Sequence, residues 1–313
     1  MSFVNATTLD IALDALAAGA RPVAGGTDLV VGARQGKAPL PDALVAIDRI
    51  HALRTIGRAA DGGLMVGALV SHHLLESHHE VTAQYPGLSD GSALVGSPAT
   101  RNLGTLGGNV MNASPAMDTG APLQVLGASV ELASAARGRR RVSLSELWTG
   151  PGRTSAAADE LCVAIHLPPL AARSSSAYVR LEYRRAMEIA VVGAGAAVTL
   201  ADDGSIAAVV VSLTAVAPTI LPVTGLGVLA GLSLNDVLAA VEAAAADQAV
   251  PISDLRATDR YRRHCVGVMA RRAVDAAARR AAGEHLAIPV NRAIGIGAAG
   301  IGADRTTSRN GAA

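Results

Sequence analysis

The residues best placed to do chemistry fall in two stretches of small side chains. The longer runs from Ala99 to Leu123; it sets Gly104, Gly107 and Gly108 among Thr105, Leu106, Asn109, Asn112 and Ser114, then supplies a carboxylate at Asp118. The shorter is Ala24-Gly25-Gly26-Thr27-Asp28-Leu29. Glycine pairs let a backbone come close to a ligand, because no Cβ intervenes and positive φ is open to them. The hydroxyl and amide side chains add hydrogen-bonding capacity without adding charge. Two such loops predict a cradle for a phosphate-bearing cofactor, gripped by backbone N–H groups with no lysine.

Other chemistries find less support. A helix capped by Ser71 and running through His79 would set His72, Glu76 and His79 on one face. Nothing nearby closes a coordination shell, so this reads as a solvated face and no metal site is assigned. Gly295-Ile296-Gly297-Ala298-Ala299-Gly300 is a literal dinucleotide fingerprint, but too few residues follow it to complete a βαβ unit. Val191-Val192-Gly193-Ala194-Gly195 begins the same pattern and then continues as a strand where a helix is required. There is no Gly-Lys-Ser/Thr phosphate loop, and no serine is read as a nucleophile elbow, so kinase and hydrolase chemistry have no assigned machinery. Cys162 and Cys265 are too few for an iron–sulfur cluster or a four-cysteine zinc site.

These loops need a scaffold. The chain has 313 residues, enough for two domains. Its net charge is +1 with no long basic run, which argues against nucleic acid as a main partner. Aromatics make up only 2%, so a base-stacking platform is not expected. No apolar run approaches the roughly 18 residues of a membrane span, and the N-terminus does not read as a signal peptide. A reducing cytoplasm fits two isolated cysteines.

Along the chain, Thr7 to Ala18 predicts a helix, followed by short strands at 22–24, 44–47 and 64–67. Helices are expected over 88–95 and 118–126, and Val130-Glu131-Leu132 alternates like an edge strand. Arg139-Arg140-Arg141 reads as a solvated hairpin strand, and 161–165 as the last strand before a linker at Pro168-Pro169. The second half predicts three antiparallel strands (178–184, 191–200 and 206–216), with a turn at Asp202-Asp203-Gly204. Two helices, 234–246 and 259–282, come next, and from Gly283 a partly disordered tail is expected.

With both loops placed, the chain resembles the flavin-binding (medium) subunit of the molybdenum hydroxylases, the xanthine dehydrogenase and carbon monoxide dehydrogenase family. The resemblance rests on residues 24–29, on Arg101-Asn102-Leu103-Gly104-Thr105-Leu106-Gly107-Gly108-Asn109, and on Ala113-Ser114-Pro115-Ala116-Met117-Asp118. Echoes follow at Glu160-Leu161, Leu167-Pro168, 184–190, 261–264 and 271–273, so it spans roughly residues 3 to 282.

The resemblance implies an α+β chain: a two-part FAD-binding (PCMH-type) domain over 1–170, then a smaller C-terminal domain over 175–282. The latter combines a three-stranded antiparallel sheet with a helical bundle, and 283–313 would be a flexible tail. FAD would lie across Ala24, Gly25, Gly26, Thr27, Asp28 and Leu29 on one side and Thr105, Leu106, Gly107, Gly108 and Asn109 on the other. Asp118 would be a polar contact to it, and Val95, Cys162 and Arg180 would line the flavin. Related eukaryotic enzymes carry a lysine where this chain has Arg180. Electrons would come from a [2Fe-2S] small subunit fed by a molybdopterin large subunit, in a dimer of heterotrimers, and leave to NAD, a quinone or another acceptor. Two rivals are a stand-alone flavin oxidase and a non-catalytic assembly subunit.

Overall fold

Short polar caps start the helices that position the loops. In the computed structural model, which describes residues 2–36 and 38–293, Thr8 caps Leu9–Ala17, Ser71 caps His72–Ser77, Ser97 caps Pro98–Leu103 and Thr105 caps Leu106–Asn112. Each side chain accepts a backbone N–H that the first helical turn leaves unpaired.

Three of the four sheets among the described residues organise the chain. The first is small and parallel: Ser2–Asn5 and Arg21–Val23 flank Ala43–Ala46. The second has five antiparallel strands, in the order Ile56–Arg58, Leu64–Gly67, Leu161–Leu167, Ser129–Ser134, Gly138–Ser143. Leu161–Leu167 is buried along its whole length, as a central strand must be. The expectation that residues 130–132 form an edge strand is therefore corrected. Ser129–Ser134 is an interior strand, and the edge is the arginine-bearing Gly138–Ser143, whose charged side chains suit an exposed edge.

The third sheet is antiparallel: Ser174–Leu181, Val192–Leu200, Ile206–Thr214 and a short fourth strand, Leu221–Pro222, added to the three expected. It is covered on both sides. Ala177, Val179, Ala194 and Ala196 face a core shared with the helices Leu234–Gln248 and Asp259–Ala281. The alternating residues face the other way, and Tyr178 belongs to the core of the first half. This explains the glycines of the false fingerprint. A Cβ on Gly193 would lie 2.5 Å from Tyr178 Oη, and one on Gly195 would lie 2.8 Å from the Ala121 carbonyl carbon in the helix Gly120–Val125. The fingerprint at residues 295–300 lies outside the described residues.

Three further differences from the sequence reading have local causes. The helix begun at Ser71 breaks at His78, whose extended backbone separates His72–Ser77 from His79–Gln84. Gly87-Leu88-Ser89-Asp90-Gly91 is a literal Gly-x-Ser-x-Gly that the sequence reading passes over. It lies inside the helix Pro86–Leu94, with Ser89 fully buried and its hydroxyl donating to Leu75 O at 2.9 Å, so it is no nucleophile elbow. The expected tail begins at Gly283, yet Leu286, Val290 and Asn291 are buried against the third sheet and its neighbours.

Candidate functional site

The two glycine loops touch each other. Ile47 N donates to Val23 O at 3.0 Å, fixing the strand from which the first loop leaves. An ideal Cβ on Gly25 would stand 1.9 Å from Leu103 O and 2.6 Å from its carbonyl carbon, so only glycine permits this contact. Gly26 adopts φ +67°, and its carbonyl then accepts from Val30 N at 2.9 Å to open the helix Leu29–Arg34. No backbone acceptor among the described residues takes the N–H groups of Gly25, Gly26 or Thr27. Those three donors remain for a ligand.

The second loop is different, because its amides are already used. Leu106 N donates to Val70 O and Gly107 N to Ala68 O, both at 2.9 Å; Gly108 N donates to Thr105 Oγ1 at 3.1 Å and Asn109 N to Thr105 O at 2.9 Å. Gly107 serves packing, since a Cβ there would sit 2.6 Å from Ala68 Cβ. Gly108 is the bare, exposed one and presents its backbone without a side chain. Asn109 accepts from Thr119 Oγ1 at 2.6 Å through Oδ1, which leaves its Nδ2 donor for a ligand. Trp148 holds this helix from behind, donating from Nε1 to Val110 O at 3.0 Å.

Gly104 lies where the loops meet, with the position of its missing Cβ 3.3 Å from His72 Cδ2 and 3.7 Å from Thr27 Oγ1. His72 was expected on a solvated face; it is buried instead, 1% exposed, and forms part of the wall. Its backbone N–H donates to Gly104 O at 3.2 Å. Burial, reinforced by the nearby Arg101 charge, lowers its pKa to about 4. The unfolded chain takes up this proton near pH 6.5, the folded chain only near 4, so the unfolded state binds more protons in between. Stability is expected to fall by up to about 3 kcal/mol as pH drops from 6.5 through 4, and His72→Gln should flatten that stretch of a urea-unfolding pH profile. An unchanged profile in the variant would refute the assignment.

Asp118 connects to the cradle through its neighbour Thr119 and Asn109. Each of the Asp118 oxygens already has a partner within the chain. Tyr178 Oη donates to Oδ1 at 2.9 Å, and Arg180 Nη1 donates to Oδ2 at 2.6 Å. Arg180 is fully buried; its Nε donates to Glu182 Oε2 at 2.9 Å, while Nη2 lies 2.8 Å from the same oxygen as an ion-pair contact without hydrogen-bond geometry. One buried cation thus serves two buried carboxylates. Burial pushes the Asp118 pKa up, and Arg180 and Tyr178 oppose that push. Burial also works against the Arg180 charge, but Asp118, Tyr178 and Glu182 outweigh it and keep the guanidinium protonated.

Val95 and Cys162 are the remaining expected site residues. Val95 ends the helix Pro86–Leu94, and its carbonyl accepts from Arg101 Nη1 at 3.2 Å. Cys162 lies within the five-stranded core, and burial pushes its thiol up to about 12, so it behaves as a small apolar side chain. Sequence reasoning put His72 on a solvated face and did not single out Thr119, Tyr178, Glu182 or Asn291. A signal for two of them was present: Tyr178, Arg180 and Glu182 alternate, which places them on one side of the strand Ser174–Leu181 and its continuation.

Chemically, the cradle offers three free amides, a bare glycine and an amide side chain. This set suits a diphosphate, and it brings no acid–base pair to an open surface. Among the described residues no group of three histidine, cysteine or acidic side chains could hold a metal, and no helix is long and apolar enough to cross a membrane.

Residues 1–170 match the family described as the FAD binding domain in molybdopterin dehydrogenase. The chain belongs to that family. Residues 176–277 also match the CO dehydrogenase flavoprotein C-terminal domain. The carbon monoxide dehydrogenase medium chain of Afipia carboxidovorans is 34% identical over 266 residues, covering 84% of this chain and 90% of that one. A putative xanthine dehydrogenase FAD-binding subunit of Escherichia coli K12 is 29% identical over 288 residues, covering 90% and 98%. The nicotinate dehydrogenase FAD-subunit of Eubacterium barkeri is 34% identical over 185 residues, 58% of this chain and 62% of that subunit. In a solved structure of the Cu,Mo-CO dehydrogenase, one chain superposes with a TM-score of 0.84 at 31% identity, covering 90% of this chain and 98% of that one. The protein is accordingly an FAD-binding oxidoreductase subunit of the xanthine and CO dehydrogenase type, and the α+β fold expected from the resemblance is the one found.

Proposed function

We propose that this chain is the electron-transfer subunit of a heteromeric molybdenum hydroxylase. It would receive electrons from a [2Fe-2S] small subunit, fed by a molybdopterin large subunit, and pass them to NAD, a quinone or another acceptor. A dimer of heterotrimers in the cytoplasm is the assembly this implies. We assign FAD binding to residues 1–170 and the flavoprotein C-terminal role to 175–282.

The observation that carries this reading is the composition of the cradle: donors for a diphosphate, but no open proton-transfer or metal group with which to process a substrate. A bound flavin supplies one- and two-electron chemistry that such a chain lacks on its own. Gly25, Gly26 and Thr27 would bind the diphosphate through their amides, with Ala24, Asp28 and Leu29 shaping that loop. Gly108 would admit close approach, Asn109 would donate from Nδ2, and Thr105, Leu106 and Gly107 would hold the second loop in place. Asp118 would act through Arg180 and Thr119, Val95 would stand at the rim, and Cys162 would act only as packing behind the site.

The test is to purify the chain, add FAD and compare its reduction by the partner subunits with its reduction by small-molecule substrates alone. The expected result is noncovalent, yellow FAD-bound protein that is reduced only with the partners present. Reduction by substrate without partners would establish the stand-alone oxidase, and failure to bind FAD would establish the assembly role.

A further inference from the structure

After the helix Asp259–Ala281 the chain turns at Gly283, and residues 284–291 return to the outer edge of the strand Ser174–Leu181. There the Asn291 side chain does what a neighbouring strand would do. Its Oδ1 accepts from Arg180 N at 2.8 Å, and its Nδ2 donates to Arg180 O at 2.9 Å. Asn291 is fully buried, so both bonds form away from water.

One residue earlier, Val290 N donates to Asp90 Oδ1 at 2.9 Å. Asp90 is itself buried, is bridged by Arg280 Nη1 at 2.6 Å, and accepts from Tyr178 N at 3.1 Å. The returning segment thus reaches residues 178 and 180, directly at one and through Asp90 at the other. The side chains of these same two residues hold Asp118. From Asp118 the connection continues through Thr119 to Asn109 in the cradle.

We propose that Asn291 is a positioning residue: by clamping the Arg180 backbone it sets the Arg180–Asp118 pair against the cradle, so that seating of residues 284–291 and binding of FAD favour each other. The proposal rests on FAD occupying the two-loop cradle. Linkage between two such events is reciprocal, which makes it observable from either end.

The experiment uses the full chain, with FAD affinity read from flavin fluorescence and amide exchange read over residues 176–183 and 284–291. In the wild type, FAD is expected to slow exchange in both segments. Asn291→Ala should weaken FAD binding about tenfold, the scale of a lost buried hydrogen-bond pair. Asn291→Asp keeps the acceptor, loses the donor, and should also bind FAD more weakly than the wild type. Leu238→Ala, in the distant helix Leu234–Gln248, is a control for general destabilisation and should leave FAD affinity unchanged. Wild-type affinity in Asn291→Ala, or equal weakening in Leu238→Ala, would overturn the proposal. So would FAD-independent exchange at 284–291 in the wild type, a measurement that decides the matter even where the variant fails to fold. A wild-type chain that binds no FAD would instead refute the cradle itself.

Discussion

Gly25→Ala is expected to weaken FAD binding by at least about 100-fold. The new methyl carbon would stand 1.9 Å from Leu103 O and 3.2 Å from Gly104 N, all of it backbone with no rotamer to escape into. Carbon and oxygen atoms pack near 3.5 Å, so the two loops must part by roughly 1.5 Å. That displacement carries the three free amides of the first loop away from Gly108 and Asn109. Gly108→Ala makes a useful contrast, since its Cβ meets only Thr105 Oγ1, at 2.9 Å, and its effect should be nearer tenfold. FAD titrations of both variants measure this. Wild-type affinity in Gly25→Ala would mean that contact between the loops does not shape the site.

The second large effect concerns the buried charges. Arg180→Met leaves Asp118 and Glu182 without their cation, 7% and 8% exposed respectively. Removing one partner of a buried ion pair costs about 3–5 kcal/mol, mostly because the stranded charge cannot be solvated. The unfolding midpoint in urea should fall accordingly, whether or not FAD is present. Adding Asp118→Asn and Glu182→Gln to Arg180→Met should recover much of the loss, because the stranded charges are then gone. A midpoint unmoved by Arg180→Met, or a triple variant weaker than the single, would show that the cluster is not held by charge pairing. An unchanged wild-type-like FAD affinity in a folded Arg180→Met would separately detach the cluster from the cradle.

Gly25 shows in the sequence as a glycine, but its reason, contact with Leu103 seventy-eight positions on, does not. The loops were legible where their requirement is local, as at Gly26, whose φ of +67° favours glycine. The cap Ser71 was legible for the same reason. Gly107 was legible as a glycine but not in its purpose, since its neighbour is Ala68 and not a ligand. His72 illustrates the limit. Its place at the start of a helix capped by Ser71 was read correctly, but the break at His78 was not, and whether its face meets water depends on Gly104, thirty-two positions away. Arg180 shows the same limit more sharply, because its partners come from Asp118 on one side and Asn291 on the other. A charge placed in an apolar strand signals a buried partner, yet no pattern within the strand says which one. The interior place of Ser129–Ser134 was hidden likewise, since its second neighbour, Leu161–Leu167, arrives only after the hairpin has closed.

The third sheet is a party wall between the two halves of the chain. Its one face completes the C-terminal core, while the other sets Tyr178 into the core of the first half and Gly195 against the helix Gly120–Val125. A cut between the two halves would leave each with a stripped surface: Asp90 and Asp118 without their arginines on one fragment, Arg180 and Arg280 without their carboxylates on the other. Two segments that can be told apart in sequence thus share one sheet and two buried ion pairs, and each covers what the other would expose.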